Sequence, residues 1–389
     1  MIIYNKLWLN NKTVVDHLKA DPIAGHITKE EFTKIRAAYP VGFYIPGLLV
    51  SAGLFILTCI IAMVAIGLLS LMTAATHIIE SPGWPIFLGV ICYVILELLT
   101  KDKHYFHSGV DNALLYYSAG LLGGGLLWII SKSNITTGDN LLSAIVICLL
   151  CIYLTLRFAD VVTAAVAAVS AFASVYFFWA MMGTIGLATM PFVMMIAAAA
   201  MYYTFNKLNH LYYINCISII KILSLITLYA AGNYYVVNSL NNILNHLDDS
   251  HIYVPYGFIF WIWTMLLPVA YVVLGLKKKN TMLLRTGLIL AGASVVTFRN
   301  YYHLLPIEVM LTLSGLILLA ASYITIKRLK TPLNGITFAP PEQAGTPESL
   351  NLEGLIIGQA ASHLAPAAPG PSSPFGGGSG GGSGSSDSF

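Results

Sequence analysis

Charge is scarce in this chain: Asp, Glu, Lys and Arg together make 10% of its 389 residues, where soluble domains carry roughly 25%. With 57% of residues hydrophobic and a mean hydropathy of +0.76, a water-soluble globular fold is excluded and a bilayer becomes the natural solvent. Catalytic signatures are missing too. There is no H-E-x-x-H for a membrane metalloprotease, no G-x-x-x-x-G-K-[ST] for ATP hydrolysis and no G-x-S-x-G elbow between a strand and a helix. The ten histidines are scattered, so no metal or other cofactor is expected and the chain is not read as an enzyme. A formal charge of +3 makes no case for nucleic acid. The five cysteines, Cys59, Cys92, Cys148, Cys151 and Cys216, fall inside apolar stretches, which is core usage and not a disulfide framework. Cys148 and Cys151 have a C-x-x-C spacing but sit among Ile and Leu, without the polar neighbours that a redox or metal pair needs. The N-terminus lacks a compact apolar region followed by a small-residue cleavage site, so the first span is expected to be an uncleaved anchor.

What the chain does have is apolar length. Ten stretches read as spans, at 44–72, 84–100, 110–131, 141–156, 161–182, 185–205, 211–231, 254–275, 281–298 and 307–326. Their lengths suit a hydrocarbon core about 30 Å thick. They do not alternate as barrel strands would, so the fold class is all-α, a polytopic transmembrane helix bundle. The fifth and sixth spans form one uncharged interval, 161–205, divided only at Gly183 and Thr184. Merging them would invert everything downstream.

The 20 Lys and Arg residues test that division. With the N-terminus inside, 17 lie on the inner side: Lys6, Lys12, Lys19, Lys29, Lys34, Arg36, Lys101, Lys103, Arg157, Lys207, Lys277, Lys278, Lys279, Arg285, Lys327, Arg328 and Lys330. Lys132 and Arg299 fall outside, and Lys221 lies within a span. This is the bias expected of a correctly threaded chain, with both termini cytoplasmic. The longest outer loop, 232–253, has no Lys or Arg and carries Asp248 and Asp249.

Three regions follow: a cytoplasmic amphipathic helical segment (1–42), the bundle (43–330) and a Pro/Gly/Ser-rich cytoplasmic tail (331–389) expected to be disordered, since it has too little apolar surface to offset chain entropy. Within the first, Thr28 and Glu31 have capping-box spacing, and Ile27 and Phe32 are placed for a hydrophobic staple. The helix runs to Tyr39 before Pro40, with Phe32, Ile35 and Tyr39 on one face. That stripe is expected to fold back on Val14, Val15 and Leu18, with a membrane surface or a partner as the other candidate. In the tail, Leu350, Leu352, Leu355, Ile356 and Ile357 could form a docking element for a protein partner. The last residues, 375–389, read either as a cloning linker or as a native flexible end.

The string Gly25-His26-Ile27-Thr28-Lys29-Glu30-Glu31-Phe32, with Ile35 and Tyr39 ahead of the first span, resembles the N-terminal signature of bacterial membrane proteins with domain of unknown function 2157. The resemblance covers some 40 residues and the architecture. It implies a helical segment ahead of many spans, and no activity. The Gly/Ser-rich, aromatic-terminated tail is similar in composition to tails of some bacterial membrane proteins with a TPM domain.

Among charges near the bilayer, Lys221 is the most pointed, because insertion scales place the cost of a mid-span lysine at about 2.5–3.5 kcal/mol. Ser218 and Ser224 lie three residues to either side and share its helix face. This stripe suggests an ion or substrate site; a carboxylate partner from another span, or snorkelling, is the structural account. Glu97 is a second candidate, with an i, i+4 pair to Lys101 as the plainer explanation. Asp111 and Asp160 open spans, where a carboxylate suits a helix N-terminus. On the outer side, Arg299, Asn300, Tyr301, Tyr302, His303 and Glu308 could form a small pocket with the acidic loop, or the tyrosines could be interfacial anchors. Asn233-Tyr234-Tyr235 and Asn300-Tyr301-Tyr302 both follow spans at the outer end. Gly120, Gly124 and the alanine-rich fifth span present small surfaces for close helix approach.

Two functions remain. One is a non-enzymatic multi-pass protein of a bacterial plasma (inner) membrane that scaffolds or regulates through its cytoplasmic ends. The other is a secondary transporter with a midplane site including Lys221. Only Pro191 and Pro268 interrupt span interiors, without a matching repeat, which favours the first.

Overall fold

Apolar length becomes helix throughout. The computed structural model describes residues 2–18, 28–132, 138–208, 210–244 and 257–301, together with eight single positions between 309 and 327. The chain divides into units Met1–Ala344 and Gly345–Phe389, the second wholly outside the described residues. Two short helices, α1 (Lys6–Leu18) and α2 (Lys29–Ala38), precede the spans. The first four spans are α3 (Leu48–Thr73), α4 (Gly83–Asp102), α5 (Val110–Lys132) and α6 (Asp139–Phe158). Then come α7 (Val161–Ala180), α8 (Gly183–Lys207), α9 (Ile214–Gly232), the short α10 (Tyr234–Leu244), α11 (Gly257–Lys277) and α12 (Thr281–Tyr301). The protein is an all-α polytopic bundle, and nine of its described helices are long and apolar enough to cross a membrane. Described positions of the tenth expected span, such as Leu316 and Leu319, are helical, but most of 307–326 lies outside the described residues, as do His303, Glu308 and the tail 331–389.

Large apolar side chains point outward along these helices: Leu49 is 85% exposed, Ile185 74% and Ile289 72%. Only lipid makes such a surface stable. The spans meet around two central helices. Helix α5 packs on α3, α4 and α6, burying Leu96, Leu114, Leu115, Leu154 and Phe158. Helix α9 packs on α7, α8, α11 and α12, burying Ala164, Ala168, Cys216 and Ile220 on one side and Leu225, Tyr229, Tyr271, Leu283 and Leu290 on another. Helices α6 and α7 join the two groups.

The division of 161–205 is real. Helix α7 ends at Ala180, and Gly183, the first residue of α8, adopts φ +69°, a left-handed conformation that glycine reaches at little cost. The glycines that bring helices together are not those expected. Gly120 and Gly124 face open space, whereas a Cβ on Gly89 would lie 2.9 Å from the Leu122 backbone nitrogen and one on Gly125 3.1 Å from the Pro82 carbonyl oxygen. A run of adjacent glycines does not reveal which of them faces a neighbour. The alanine-rich α7 does pack closely, through Ala164, Ala167 and Ala168. Pro191 and Pro268 lie inside continuous helices, so neither breaks its span.

The 232–253 loop needs a correction, since residues 234–244 form α10, which packs on α9 and α11 with Val237 buried against Phe260. Asn233 caps it, its Oδ1 accepting from the Tyr235 and Val236 amides at 2.9 and 3.3 Å. Residues 245–256, including Asp248 and Asp249, lie outside the described residues.

The N-terminal segment carries the expected cap and further contacts that the sequence did not indicate. Thr28 and Glu31 form the capping box, with Thr28 N donating to Glu31 Oε2 at 2.9 Å and Glu31 N to Thr28 Oγ1 at 3.3 Å. Ile27, and with it the staple, is outside the described residues. Helices α1 and α2 meet, and Trp8 of α1 also stands against Phe43 and His104 at the span ends. Its packing partners are far away in sequence, which is why periodicity within the segment did not indicate them.

Candidate functional site

Lys221 projects from the packed side of α9, one turn from buried Ile217 and Leu225 in either direction. It is half-buried and makes no ion pair or hydrogen bond among the described residues. Ser224 is fully buried, its hydroxyl donating to the Ile220 carbonyl at 2.7 Å, so it serves its own helix and offers no donor to a ligand. Ser218 is half-buried.

Glu97 belongs elsewhere. Its Oε1 accepts from Arg157 Nη2 at 2.6 Å, from Arg157 Nε at 3.0 Å and from the Tyr93 hydroxyl at 2.9 Å, and Tyr93 meets the Tyr153 hydroxyl at 2.7 Å. Lys101, the partner expected from sequence, lies at 3.4 Å and is the weaker one. Two guanidinium nitrogens converging on one carboxylate oxygen at shorter distances make the stronger, charge-assisted contact, and it ties α4 to α6 at the end of the bundle nearer the N-terminus. The structure does not bring Glu97 and Lys221 together.

That N-terminal face is the richest in specific contacts. Ile3 N donates to the Arg157 carbonyl at 3.0 Å. Tyr4 is buried between Phe43 and Phe106, with ring centroids 5.9 and 4.8 Å away. Trp8 stands edge-on to Phe43 and His104 at 5.3 and 4.8 Å and covers Gly42, where a Cβ would lie 2.5 Å from the indole. Asn11 Nδ2 donates to the Pro40 carbonyl at 2.9 Å, and the Tyr212 hydroxyl to Asn10 Oδ1 at 3.0 Å. Residues 3–12 thus reach the entry to α3, the α4–α5 turn, the end of α6 and the start of α9. Tyr44 and Tyr105 add an isolated parallel bridge beneath them.

Below this segment, Asp111 accepts from the His107 and Ser108 amides at 2.7 and 2.8 Å and from the Ser108 hydroxyl at 2.9 Å. Asp160 accepts from Thr163 N at 2.8 Å and from the Tyr116 hydroxyl at 3.2 Å. Asp160 caps α7, and Asp111, in the first turn of α5, reaches back to the amides of the turn before it. Burial first, then the fields of Asp111 and Asp160, push the Tyr4 phenol well above its ordinary value of 10.0. Sequence reading passed over Tyr4 and Trp8; two large aromatics ahead of the capped helix were the signal available.

On the opposite face, Asn233 Nδ2 donates to the Tyr229 hydroxyl at 2.9 Å and to Thr297 Oγ1 at 3.1 Å, and Asn238 Nδ2 to the Tyr301 hydroxyl at 2.9 Å. Tyr234 stacks on Trp261 at 4.9 Å and meets Tyr301 edge-on at 4.9 Å. The two Asn-Tyr-Tyr strings therefore contribute to one cluster, whose rings fill the space between them. Arg299 lies beside this cluster in sequence, and its Nε is buried without a hydrogen-bond partner. The rest of the expected outer pocket, His303 and Glu308, is outside the described residues. The five cysteines are free, and Cys148 Sγ donates to the Ala167 carbonyl at 3.6 Å. No cluster of three or more His, Cys, Asp or Glu side chains suited to a metal occurs among the described residues. Comparison with protein-family models, with curated proteins and with solved structures finds no match to this chain.

Proposed function

We propose that this integral membrane protein is a non-enzymatic scaffold or regulator of a bacterial plasma membrane, threaded with both termini in the cytoplasm and acting through those two ends. The observation that carries this reading is the docking of residues 3–12 on four separate span ends. A partner that binds or displaces the segment would change the restraint on α3, α5, α6 and α9 together. The distribution of basic residues supports the orientation, with Lys101, Lys103, Arg157, Lys207 and Lys277 at helix ends on the N-terminal face and Lys132 and Arg299 at opposite ends. The likeness of 25–39 to domain of unknown function 2157 fits this arrangement. Deleting 331–389 is expected to change the set of proteins that co-purify from membranes; an unchanged set overturns the reading.

The second reading, a secondary transporter, is favoured by one observation: Lys221 lies on the packed side of α9 without a partner among the described residues. Under it, Lys221→Met abolishes uptake or proton coupling with expression intact. A scaffold tolerates the substitution.

A further inference from the structure

Helices α7 to α12 contain no Asp or Glu, yet toward the N-terminal face they carry Lys207, Lys221, Lys277 and Arg285. Lys221 is the inward one, sharing a stripe of α9 with Leu225, Leu228 and Gly232 at four, seven and eleven residues on. It is half-buried and has no hydrogen bond or ion pair among the described residues. The anion that would answer this charge is not supplied by these six helices. Contacts along the same stripe fix its depth. Trp263 Nε1 donates to the Leu228 carbonyl at 3.2 Å, a Cβ on Gly232 would strike the Trp263 indole, and the Tyr271 hydroxyl donates to the Leu225 carbonyl at 3.3 Å. Helices α9 and α11 are therefore antiparallel, with Trp263 level with Gly232. At about 1.5 Å per residue, Lys221 lies roughly 17 Å and Lys277 roughly 21 Å from that level, both toward the N-terminal face. Side chains lean toward the N-terminus of their helix, which for α9 is this face, and the lysine stem closes the difference.

A groove supplies the independent observation. Helix α11 presents a wholly apolar one, lined by Ile259, Ile262, Trp263, Leu266, Leu267 and Ala270, and Ile262 and Leu266 leave it open to the lipid side. Leu267 packs on the cluster that contains Leu225, one turn from Lys221, while Lys277 falls seven residues beyond Ala270 on the stripe of the groove itself. The groove thus ends, toward the N-terminal face, between a lysine of α9 and a lysine of α11. From the level of Lys221 to Ile262 is about 18 Å, close to half of a hydrocarbon core about 30 Å thick and so to the reach of one acyl chain. An apolar groove one leaflet long with two cations at its head is complementary to a phospholipid, and the unanswered charge selects an anionic one.

We propose that Lys221 and Lys277 hold the phosphate of one anionic phospholipid from the leaflet on the N-terminal side, with an acyl chain laid along α11 from Ala270 to Ile262. Phosphate is bound by lysine as a point charge, which suits a headgroup that enters from the side. This site requires neither the proposed orientation nor the tail, so its failure leaves the scaffold reading standing.

The test loads the full chain in detergent with phosphatidylglycerol or phosphatidylcholine and counts the lipid retained after delipidation by native mass spectrometry. One phosphatidylglycerol per chain is expected to survive conditions that strip phosphatidylcholine. Lys221→Met should lower that retention about tenfold or more, the loss of one hydrogen bond to a charged group, and Lys221→Arg should preserve it. Ala270→Trp, which fills the groove and leaves the charges alone, should lower it several-fold. Arg285→Met removes a charge from the exposed side of α12, opposite buried Leu283 and Leu290, and should change nothing. Unchanged retention in Lys221→Met overturns the proposal, and so does an equal loss in Arg285→Met, which marks a diffuse basic surface. Inorganic phosphate that raises the thermal midpoint in phosphatidylcholine nanodiscs as much as phosphatidylglycerol does also overturns it, since the site then takes a free anion. Should Lys221→Met fail to fold, Ala270→Trp decides, undiminished retention there sinking the site.

Discussion

Single residues here are governed by what a charge finds within reach. Glu97 and Arg157, 60 positions apart, find each other and keep a charge pair at 22% side-chain exposure on each partner. Removing one charge leaves the other with weaker bonding, so Glu97→Gln is expected to lower stability by about 1–3 kcal/mol, measured as a thermal midpoint in nanodiscs. Combining it with Arg157→Gln should recover part of the loss, because the unpaired ion is then removed; a double variant as unstable as the sum of the singles would count against this account. The sequence indicated that Glu97 needed a partner. It indicated Lys101, because neighbours on one helix are the only pairs that spacing can reveal.

At the scale of elements, the capped α2 and the tightly packed hairpins carry the clearest consequences. The Thr28 amide, then the Thr28 hydroxyl, hold the Glu31 carboxyl below its ordinary value. A depressed carboxylate stabilises above its unfolded value and loses that contribution as pH falls through the folded one. Exchange of the α2 amides, corrected for intrinsic rates, should therefore rise relative to α1 as the solution is taken below the ordinary glutamate range; Glu31→Gln should remove the pH dependence, and Thr28→Ala, which keeps the backbone amide, should only reduce it. The contact of α4 with α5 rests on Gly89, where an added Cβ meets the Leu122 backbone at 2.9 Å. Gly89→Ala is expected to cost about 1–3 kcal/mol through overpacking, while Gly120→Ala, facing open space, should leave the thermal midpoint within error. Helix boundaries were legible because apolar runs and turn residues are local. The facing glycines and α10 were not: helix rotation is set by neighbours, and a short amphipathic stretch carrying three asparagines (Asn238, Asn241 and Asn242) reads as loop until something packs on it.

For the whole molecule, the decisive quantity is which face of the bundle meets the cytoplasm. Cysteines placed at Lys6 and Ser81 lie on opposite faces. In intact cells an impermeant maleimide is expected to label position 81 and spare position 6, the reverse result overturning the proposed orientation. Labelling at neither would show that Ser81 is covered, so a third site at Lys132, which ends α5 on the same face as Ser81, completes the test. The two central helices, α5 and α9, also predict where tolerance is lowest: α3 has 6% of its most apolar window buried, against 39% for α5. Conservative apolar changes should be nearly neutral in α3 and costly in α5, as a scan of expression level would register.

The sequence by itself determined the solvent, the helical class, the nine spans among the described residues and the capped segment ahead of them. Each follows from local composition, since a bilayer admits only long apolar helices and a cap needs only its own first turn. The tertiary structure alone decided that Arg157 answers Glu97, that Gly89 and not Gly120 meets a neighbour, and that Tyr4 is buried between Phe43 and Phe106. Those are meetings of segments far apart in sequence, fixed by how helices rotate and pack, and no local pattern encodes them.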